Sequence, residues 1–426
     1  MTIGIFLNSF CEGGIERVVA RLIPNFYQMG YDVVILSALG ADCDVMSDIP
    51  PHKRIVIGNG PDRGSRLAAA LRDFKIEICI IENYLSPTLL LDCKIITSIG
   101  VPYVVHFHSV FSTPFLLNLS WINEKDYYDC YSKASALIAL SRYDEYFFRL
   151  LGCNAHYFVN PVDDVPSSFD RGEKKNEILW LGRFDEQKKP LDAIKIFTQV
   201  LNRIPDAKLI MVGGLDTVKG REVKSFVKSS LQLRNSVLLV GFAKDVWTYY
   251  STASVFLSTA AYEGFACTFM EAAAAGIPIV GYDLPYCESV NGNDGYISIN
   301  QGDVDSAADA VCRLLKNDAE RFKLGAANRA TFERIKAFDL AAAYCKLFED
   351  IKLGARVGSQ VGDGVAQVCL KTLAEHTMLG HASLKNIINS YFIEIKRLKR
   401  SKRHKNRIIA LLVVIIIILL MLIFLY

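Results

Sequence analysis

The chain has 426 residues, enough for two globular domains, and its 51% hydrophobic content provides material for a core in each. A net charge of +3 is too small to predict a nucleic-acid partner. The eleven cysteines are scattered singly and form no CxxC pair, which argues against a disulfide framework or a zinc site.

Short apolar runs alternate with helical patterns through the first part of the chain. Ile3–Leu7 is predicted to be a buried strand, Ile15–Met29 has the apolar spacing of a helix, and Asp32–Leu36 is the second strand. Further strands are predicted at 76–81, 103–107, 136–139 and 155–159. The alternation predicts a parallel sheet covered by helices on both faces, in an N-terminal domain at residues 1–165.

The same pattern restarts after a polar segment, Asp163–Glu177, which is the predicted linker. Strands are predicted at 178–181, 208–212, 237–240, 255–258 and 278–282. Helices are predicted at Pro190–Asn202 and Thr268–Ala275. These elements predict a second domain at residues 177–335. The predicted fold class is therefore α/β, with two doubly wound, Rossmann-like domains facing a cleft.

The end of the chain has the composition of a membrane anchor. Residues 353–407 combine a glycine-rich hinge with a basic segment, in which Lys396–Arg407 holds eight Lys and Arg in twelve residues. Ile408–Tyr426 then runs for 19 residues without a charge, nearly enough as a helix to cross a hydrocarbon core of about 30 Å. The basic flank predicts a single-pass anchor with the preceding domains in the cytoplasm. A buried C-terminal core helix is the alternative.

A glycine turn, Gly13-Gly14, separates the first predicted strand from the helix that follows. Free N–H groups at a helix N-terminus attract anions, and glycine lets a ligand approach the backbone closely, so the turn suits a phosphate or a sugar. An ordinary βα turn is the alternative. The G-x-G-x-x-G fingerprint of dinucleotide-binding proteins is absent, which disfavours an NAD enzyme.

Two cations, Arg183 and Lys188, follow the first strand of the second domain. They lie at the carboxyl edge of the predicted sheet, where open α/β sheets bind ligands, and together they could hold a diphosphate. The alternative is a solvated basic loop.

Two glutamates, Glu263 and Glu271, flank seven residues after a buried strand. We expect Glu263 in the loop, Glu271 in the first turn of the next helix, and the N–H groups of Phe265–Thr268 facing the cleft. The carboxylates would then accept hydrogen bonds from sugar hydroxyls. A capping box formed by Thr268 and Glu271 is the alternative, and it leaves Glu263 and Gly264 unexplained.

His106 and His108 share one face of a predicted strand. No cysteine or carboxylate stands near them in the sequence to complete a metal site, so no metal is predicted. His108, at the end of the strand, is expected to face the cleft. A structural histidine is the alternative.

These segments resemble the retaining glycosyltransferases of family 4, which have the GT-B fold, over residues 1–352. The E-x7-E motif matches at Glu263 and Glu271, and the basic pair, the glycine turn and His108 match other parts of the family pattern. Ser141 matches the serine that opens a helix of the first domain. The sequence departs from the family at Pro161 and at Ala266-Cys267.

The resemblance implies a role for each matched residue. Donor diphosphate would contact Arg183, Lys188, Gly13 and Gly14. Donor nucleotide and sugar would contact Glu271, Gly264, Phe265, Ala266, Cys267 and Thr268. Glu263 and His108 would be the catalytic residues. The resemblance also implies a reaction without cofactor or metal, and a helix within 336–352 that packs back on the first domain.

The hypothesis is a retaining glycosyltransferase that moves a hexose from a UDP-linked donor to a membrane-associated glycan or lipid-linked acceptor. Surface polysaccharide synthesis, of lipopolysaccharide or capsule, is the expected setting. The expected partners are the nucleotide sugar, the acceptor and the membrane, with no nucleic acid. The alternatives are a GT-B-type nucleotide-sugar epimerase and an inactive glycan-binding scaffold.

Overall fold

The structure is a computed structural model of the chain. It describes residues 1–9, 13–40, 50–113, 124–170, 172, 175–357, 368, 369 and 372.

The first unit contains a seven-stranded parallel sheet. Its strands are β1 Thr2–Leu7, β2 Asp32–Ser37, β3 Arg54–Val56, β4 Ile78–Ile81, β5 Tyr103–Phe107, β6 Ala136–Ala139 and β7 Ala155–Tyr157. Their order is β3-β2-β1-β4-β5-β6-β7. The strand order reverses between β1 and β4, and doubly wound sheets bind their ligands beside such a switch point.

The second unit contains a six-stranded parallel sheet. Its strands are β8 Glu177–Leu181, β9 Lys208–Val212, β10 Val237–Gly241, β11 Val255–Ser258, β12 Ile279–Tyr282 and β13 Tyr296–Ile299. Their order is β10-β9-β8-β11-β12-β13, so the switch point lies between β8 and β11. The two sheets confirm the predicted pair of doubly wound α/β units.

Helices connect the strands of both sheets. In the first unit they are α1 Gly14–Gln28, α2 Arg63–Asp73, α3 Leu89–Ser98, α4 Glu124–Lys133 and α5 Arg142–Leu150. Later in the chain they are α6 Pro190–Arg203, α7 Val218–Lys228, α8 Leu231–Ser236, α9 Trp247–Thr252, α10 Cys267–Ala274, α11 Val304–Lys316, α12 Asp318–Lys336 and α13 Leu340–Leu353.

The central strands are buried on both faces because helices cover each side of the sheet. All four residues of β4, Ile-Cys-Ile-Ile, are buried, as are all five of β5. Such continuous apolar runs are typical of parallel sheets. Ser141 begins α5 as its N-cap, and its hydroxyl oxygen accepts a hydrogen bond of 3.0 Å from the Asp144 N–H.

The last described helix, α13, returns to the first unit. The rings of Tyr344 and Phe348 lie 5.0 and 6.1 Å from the ring of Phe26 on α1, and all three side chains are buried.

Polar contacts also join the two units. A Glu288 carboxylate oxygen accepts a hydrogen bond of 2.9 Å from the N–H of Arg142, the first residue of α5. The side-chain amide of Asn291 donates to the Tyr143 hydroxyl across 3.1 Å. The units therefore meet through directed polar contacts as well as through packing.

Within the described part of the chain, no helix combines the length and apolar character needed to span a membrane. The predicted anchor, Ile408–Tyr426, lies outside the described residues, as does most of the segment 353–407.

Candidate functional site

A cavity of about 310 Å³ lies between the two units, where loops from both switch points meet. From the first unit it is lined by Gly13, Gly14, Arg17 and Arg21. From the second unit it is lined by Leu181, Gly182, Arg183, Val212, Gly213, Gly214, Phe242, Ala243, Val246, Cys267, Thr268 and Glu271. Six residues that the sequence assigned to one site thus share a single cavity: Gly13, Gly14, Arg183, Cys267, Thr268 and Glu271.

Two helix N-termini contribute to this cavity, one from each unit. Gly13 is the N-cap of α1, and Ala266 is the N-cap of α10. Neither helix start receives a hydrogen bond from a capping side chain. Their N–H groups and helix dipoles therefore favour a negatively charged ligand, and the guanidinium groups of Arg17, Arg21 and Arg183 add to that preference.

The two cations of the basic loop have different surroundings. Arg183 is 71% exposed and contacts Gln187 and Asp185 at 2.8 and 3.3 Å. The Lys188 ammonium is mostly buried and is ion-paired with Glu263. The sequence assigned these two residues to different parts of a donor, and in the structure they bind each other.

The backbone after Lys188 is held in an unusual conformation. Lys189 has a φ of 44°, in the left-handed region that residues other than glycine seldom adopt. The Thr259 hydroxyl donates a hydrogen bond of 2.7 Å to the Lys188 carbonyl, and the Trp180 indole N–H donates to the same hydroxyl across 3.0 Å. Loops from both sides of the second switch point therefore fix the position of Lys188.

Glu271 lies on the cavity wall, but not where the sequence placed it. Since α10 begins at Cys267, Glu271 starts the second helical turn, and the predicted position in the first turn is wrong. The proposed capping box is absent from this helix start because Ala266, and not Thr268, is the N-cap. The Glu271 carboxylate instead accepts a hydrogen bond of 2.9 Å from the Tyr250 hydroxyl.

Burial raises the pKa of Glu271, while the Tyr250 hydrogen bond and the charges of Arg21 and Arg17 act in the opposite direction. Both arginines belong to the first unit, so the charge on Glu271 depends on the neighbouring domain. Sequence reasoning did not identify these two arginines.

The residues between the two glutamates pack against the first unit. A Cβ atom built on Gly264 would lie 2.7 Å from the His108 carbonyl oxygen and 2.9 Å from the Ser109 Cα atom. Phe265 and Ala266 are buried in the hydrophobic core. The backbone of Ala266 has a φ of 55°, which turns the chain into α10. The loop is therefore a contact between domains as well as a wall of the second unit.

His108 lies just beyond β5, and its side chain is only 4% exposed. Its ring Nε2 hydrogen-bonds to the carboxylate of Glu82, which follows β4, and His106 Nδ1 approaches the same carboxylate at 3.1 Å. A carboxylate thus lies beside both histidines, although none was found near them in the sequence. An acid directly after the buried run Ile78–Ile81 was the available signal.

The pKa values of Glu82 and His108 are strongly shifted from their usual ranges. Burial opposes ionisation of Glu82, but the charges and hydrogen bonds of His106 and His108 lower its pKa to about 2. Burial and the charge of His106 lower the pKa of His108 to about 4, against the effect of Glu82. The possible ligand atoms lie within 4.8 Å of one another, close enough to hold a metal ion, while the contacts to Glu82 have hydrogen-bonding geometry.

Two family models match adjoining parts of the chain. Residues 12–164 match the model for Glycosyltransferase Family 4, and residues 163–331 match the model for Glycosyl transferases group 1. The junction between the two matched segments falls within residues 158–176, which join the two sheets.

Curated relatives match part of the chain. A poly(glycerol-phosphate) alpha-glucosyltransferase of Bacillus subtilis (strain 168) is 28% identical over 171 residues, which are 39% of this chain and 24% of the relative. A UDP-Gal:alpha-D-GlcNAc-diphosphoundecaprenol alpha-1,3-galactosyltransferase of Escherichia coli is 25% identical over 193 residues, 38% of this chain and 48% of the relative. The chain therefore spans about a quarter to a half of the length of these relatives.

Solved structures match most of the chain. The HepE protein of Anabaena in complex with UDP has a TM-score of 0.67 and 17% identity, and the match covers 83% of this chain and 100% of the other. TarM of S. aureus has a TM-score of 0.66 and 12% identity, over 82% and 98%. These similarities show a GT-B-like fold of two Rossmann-like domains.

Proposed function

We propose that the protein is a retaining hexosyltransferase. Its residues 12–164 match a family 4 glycosyltransferase model, and the following segment matches a group 1 glycosyltransferase model. Its donor is a nucleotide sugar, most simply a UDP-hexose, and its acceptor is a membrane-associated glycan or a lipid-linked precursor in surface polysaccharide synthesis. By their names, the two relatives described above are a poly(glycerol-phosphate) glucosyltransferase and a galactosyltransferase that acts on GlcNAc-diphosphoundecaprenol with UDP-Gal.

The observation that carries this proposal is the composition of the cavity between the two units. Two uncapped helix starts and three arginines converge on a space of about 310 Å³, which suits the charge of a diphosphate. In this arrangement the Gly13–Gly14 turn and Arg183 bind the diphosphate. No metal is needed in this reaction, because helix ends and arginines supply positive charge to the leaving group.

The rest of the cavity suits a nucleoside. Glu271 accepts hydrogen bonds from the ribose hydroxyls while Tyr250 holds its carboxylate in place. The base lies against the apolar wall formed by Leu181, Val212, Phe242 and Val246, where the half-exposed Phe242 ring offers a stacking surface.

Donor binding exchanges one ion pair for another in this proposal. The diphosphate attracts the Lys188 ammonium away from Glu263, because it carries more negative charge than one carboxylate. Glu263 is then left beside the donor sugar, where it stabilises positive charge that develops at the anomeric carbon. The acceptor hydroxyl attacks that carbon on the face that the diphosphate leaves, and its proton passes to the departing phosphate oxygen.

The proposed cellular location follows from the composition of the tail. Ile408–Tyr426 anchors the protein, the basic segment before it stays on the cytoplasmic side, and the two domains work at that membrane surface. Anchoring confines the enzyme to the two-dimensional pool that contains its acceptor.

The first experiment is a calorimetric titration of the purified protein with UDP and with GDP. In Glu271→Gln the Tyr250 hydroxyl keeps an acceptor, but the ribose loses a charged one. A hydrogen bond to a charged group contributes about 1.5–3 kcal/mol, so affinity for the preferred nucleotide should fall by roughly 10- to 100-fold. Glu222→Gln on α7 removes the charge of an exposed carboxylate that does not line the cavity, and it should bind as the wild type does.

A screen of UDP- and GDP-sugars for hydrolysis and transfer then tests the reaction. Epimerisation of the donor without an acceptor would identify an epimerase instead. Absence of binding to every nucleotide would leave a glycan-binding scaffold as the better explanation.

A further inference from the structure

A single buried carboxylate receives hydrogen bonds from two imidazole rings beside the first switch point. His106 Nδ1 lies 3.1 and 3.3 Å from the two Glu82 carboxylate oxygens, and His108 Nε2 contacts one of them. The side chains of Glu82, His106 and His108 are 1%, 2% and 4% exposed. A buried carboxylate with two directed partners has a fixed orientation, and it fixes the orientation of its partners.

The contact with Glu82 determines which nitrogen of His108 carries hydrogen. An ionised carboxylate only accepts hydrogen bonds, so the Nε2 atom that faces it must be protonated. The low pKa of His108, about 4, keeps the ring neutral near pH 7. A neutral ring with a proton on Nε2 has its lone pair on Nδ1, which is then a hydrogen-bond acceptor.

His108 occupies the place where the two halves of the proposed site meet. Its carbonyl oxygen faces Gly264, the residue after Glu263. Burial raises the pKa of Glu16 in the first turn of α1, and the charge of Glu82 raises it further. The backbone of His108 therefore contacts the Glu263 loop, while its partner Glu82 interacts electrostatically with the first turn of α1.

We propose that Glu82 is a positioning residue for sugar transfer, which holds His108 as the Nε2–H tautomer so that Nδ1 accepts a hydrogen bond from a donor-sugar hydroxyl. This inference rests on the proposed function, because it assigns a task within the same site. Glu82 acts through His108 and does not itself contact the donor.

Two substitutions separate this role from a purely structural one. Glu82→Met removes both acceptor oxygens at similar length, so His108 loses its preference for one tautomer. Turnover of the nucleotide sugar should fall by about 10- to 100-fold, since one polar contact of the transition state is lost. Glu82→Gln keeps an amide oxygen that can accept both N–H groups, so it should recover most of the activity. Glu77→Met, at an exposed glutamate just before β4, is the matched control.

The double variant Glu82→Met/His108→Ala tests whether Glu82 acts through the ring. Residues that act as a unit are non-additive, so the double variant should be no slower than His108→Ala alone. UDP affinity should stay near the wild-type value in every variant. Glu82→Met should melt at a lower temperature than the wild type because two buried imidazoles lose their acceptor, whereas Glu82→Gln should melt closer to the wild type. Additive losses, or a Glu82→Gln variant as slow as Glu82→Met, would overturn the tautomer argument.

Imidazole ¹⁵N chemical shifts of the wild-type protein provide a test that requires no variant to fold. His108 should show a protonated Nε2 and an unprotonated Nδ1 at pH 7, and the reverse pattern would overturn the inference. So would a stoichiometric zinc ion whose removal by a chelator abolishes turnover. A wild-type protein that turns over no nucleotide sugar would refute the proposed function itself, whereas normal turnover in Glu82→Met would refute only the role of Glu82.

Discussion

Gly264 offers a direct test of whether contact between the two units sets the geometry for catalysis. A Cβ atom at this position would lie 2.7 Å from the His108 carbonyl oxygen, 2.9 Å from the Ser109 Cα atom and 3.0 Å from the His108 carbonyl carbon. All three are backbone atoms of the other unit, so no side-chain rotation can relieve the clash.

The size of the effect follows from those distances. Ordinary van der Waals contact begins at 3.4 Å, so Gly264→Ala must move the loop and the first unit apart by about 0.7 Å. A misplacement of about 1 Å between reacting groups can reduce a rate by roughly 100-fold. We therefore expect turnover to fall by about 30- to 100-fold, with Glu263 and His108 both displaced from the donor sugar.

Gly264→Ala should affect UDP binding differently from turnover, and measuring both makes the prediction specific. Arg183, Thr268 and Glu271 belong to the second unit and keep their places, while the Gly13–Gly14 turn of the first unit shifts away from the diphosphate. UDP affinity should therefore fall by a smaller factor than turnover does. Steady-state kinetics with the preferred donor, calorimetry with UDP and thermal melting measure the three quantities. Gly172→Ala is the control, because a Cβ atom there meets nothing within 4 Å. A Gly264→Ala enzyme with wild-type turnover would refute the idea that close approach at this loop is required.

Two further predictions concern stability and location. Burial raises the pKa of Asp144 from 3.8 to about 7, against hydrogen bonds from Ser141 and Phe111. Because the folded-state pKa is raised, its favourable contribution is present below about pH 4 and is lost as the pH rises through about 7. The melting temperature should therefore fall less over this interval in Asp144→Asn than in the wild type, and parallel curves would contradict the argument. Deletion of Ile408–Tyr426 should release the protein from membranes without reducing UDP affinity, and continued sedimentation with membranes would contradict the anchor.

The central strands of both sheets could be predicted because burial on both faces leaves continuous apolar runs. Tyr103–Phe107, Ala136–Ala139, Lys208–Val212 and Val255–Ser258 have the predicted bounds. The edge strands β3 and β13 were missed. Arg54–Val56 has only three residues, none of them buried, and Tyr296–Ile299 is buried only at its two ends. Neither has the pattern on which the prediction depended.

Local sequence motifs predicted the cavity residues of the second unit. They did not predict the two arginines that the first unit contributes to the same cavity. Cys267, Thr268 and Glu271 lie within one helix start, so one motif identifies them together. Arg17 and Arg21 lie on α1 and reach the same cavity only because the two units face each other. Residue spacing within a single segment cannot predict that two separate units bring their residues to one cavity.

Unlike Arg17 and Arg21, Glu82 could have been predicted to lie beside the two histidines from the geometry of parallel sheets alone. Ile81 on β4 is paired in register with Val105 on β5, so Glu82 and His106 are the next residues along two neighbouring parallel strands. Side chains that follow neighbouring strands by the same step share one sheet edge. An acid after one strand and a histidine at the same step along its neighbour therefore form a candidate pair before any coordinates exist. Because β4 and β5 are consecutive in the chain and adjacent in the sheet, this pairing does not depend on the crossover that places β4 beside β1.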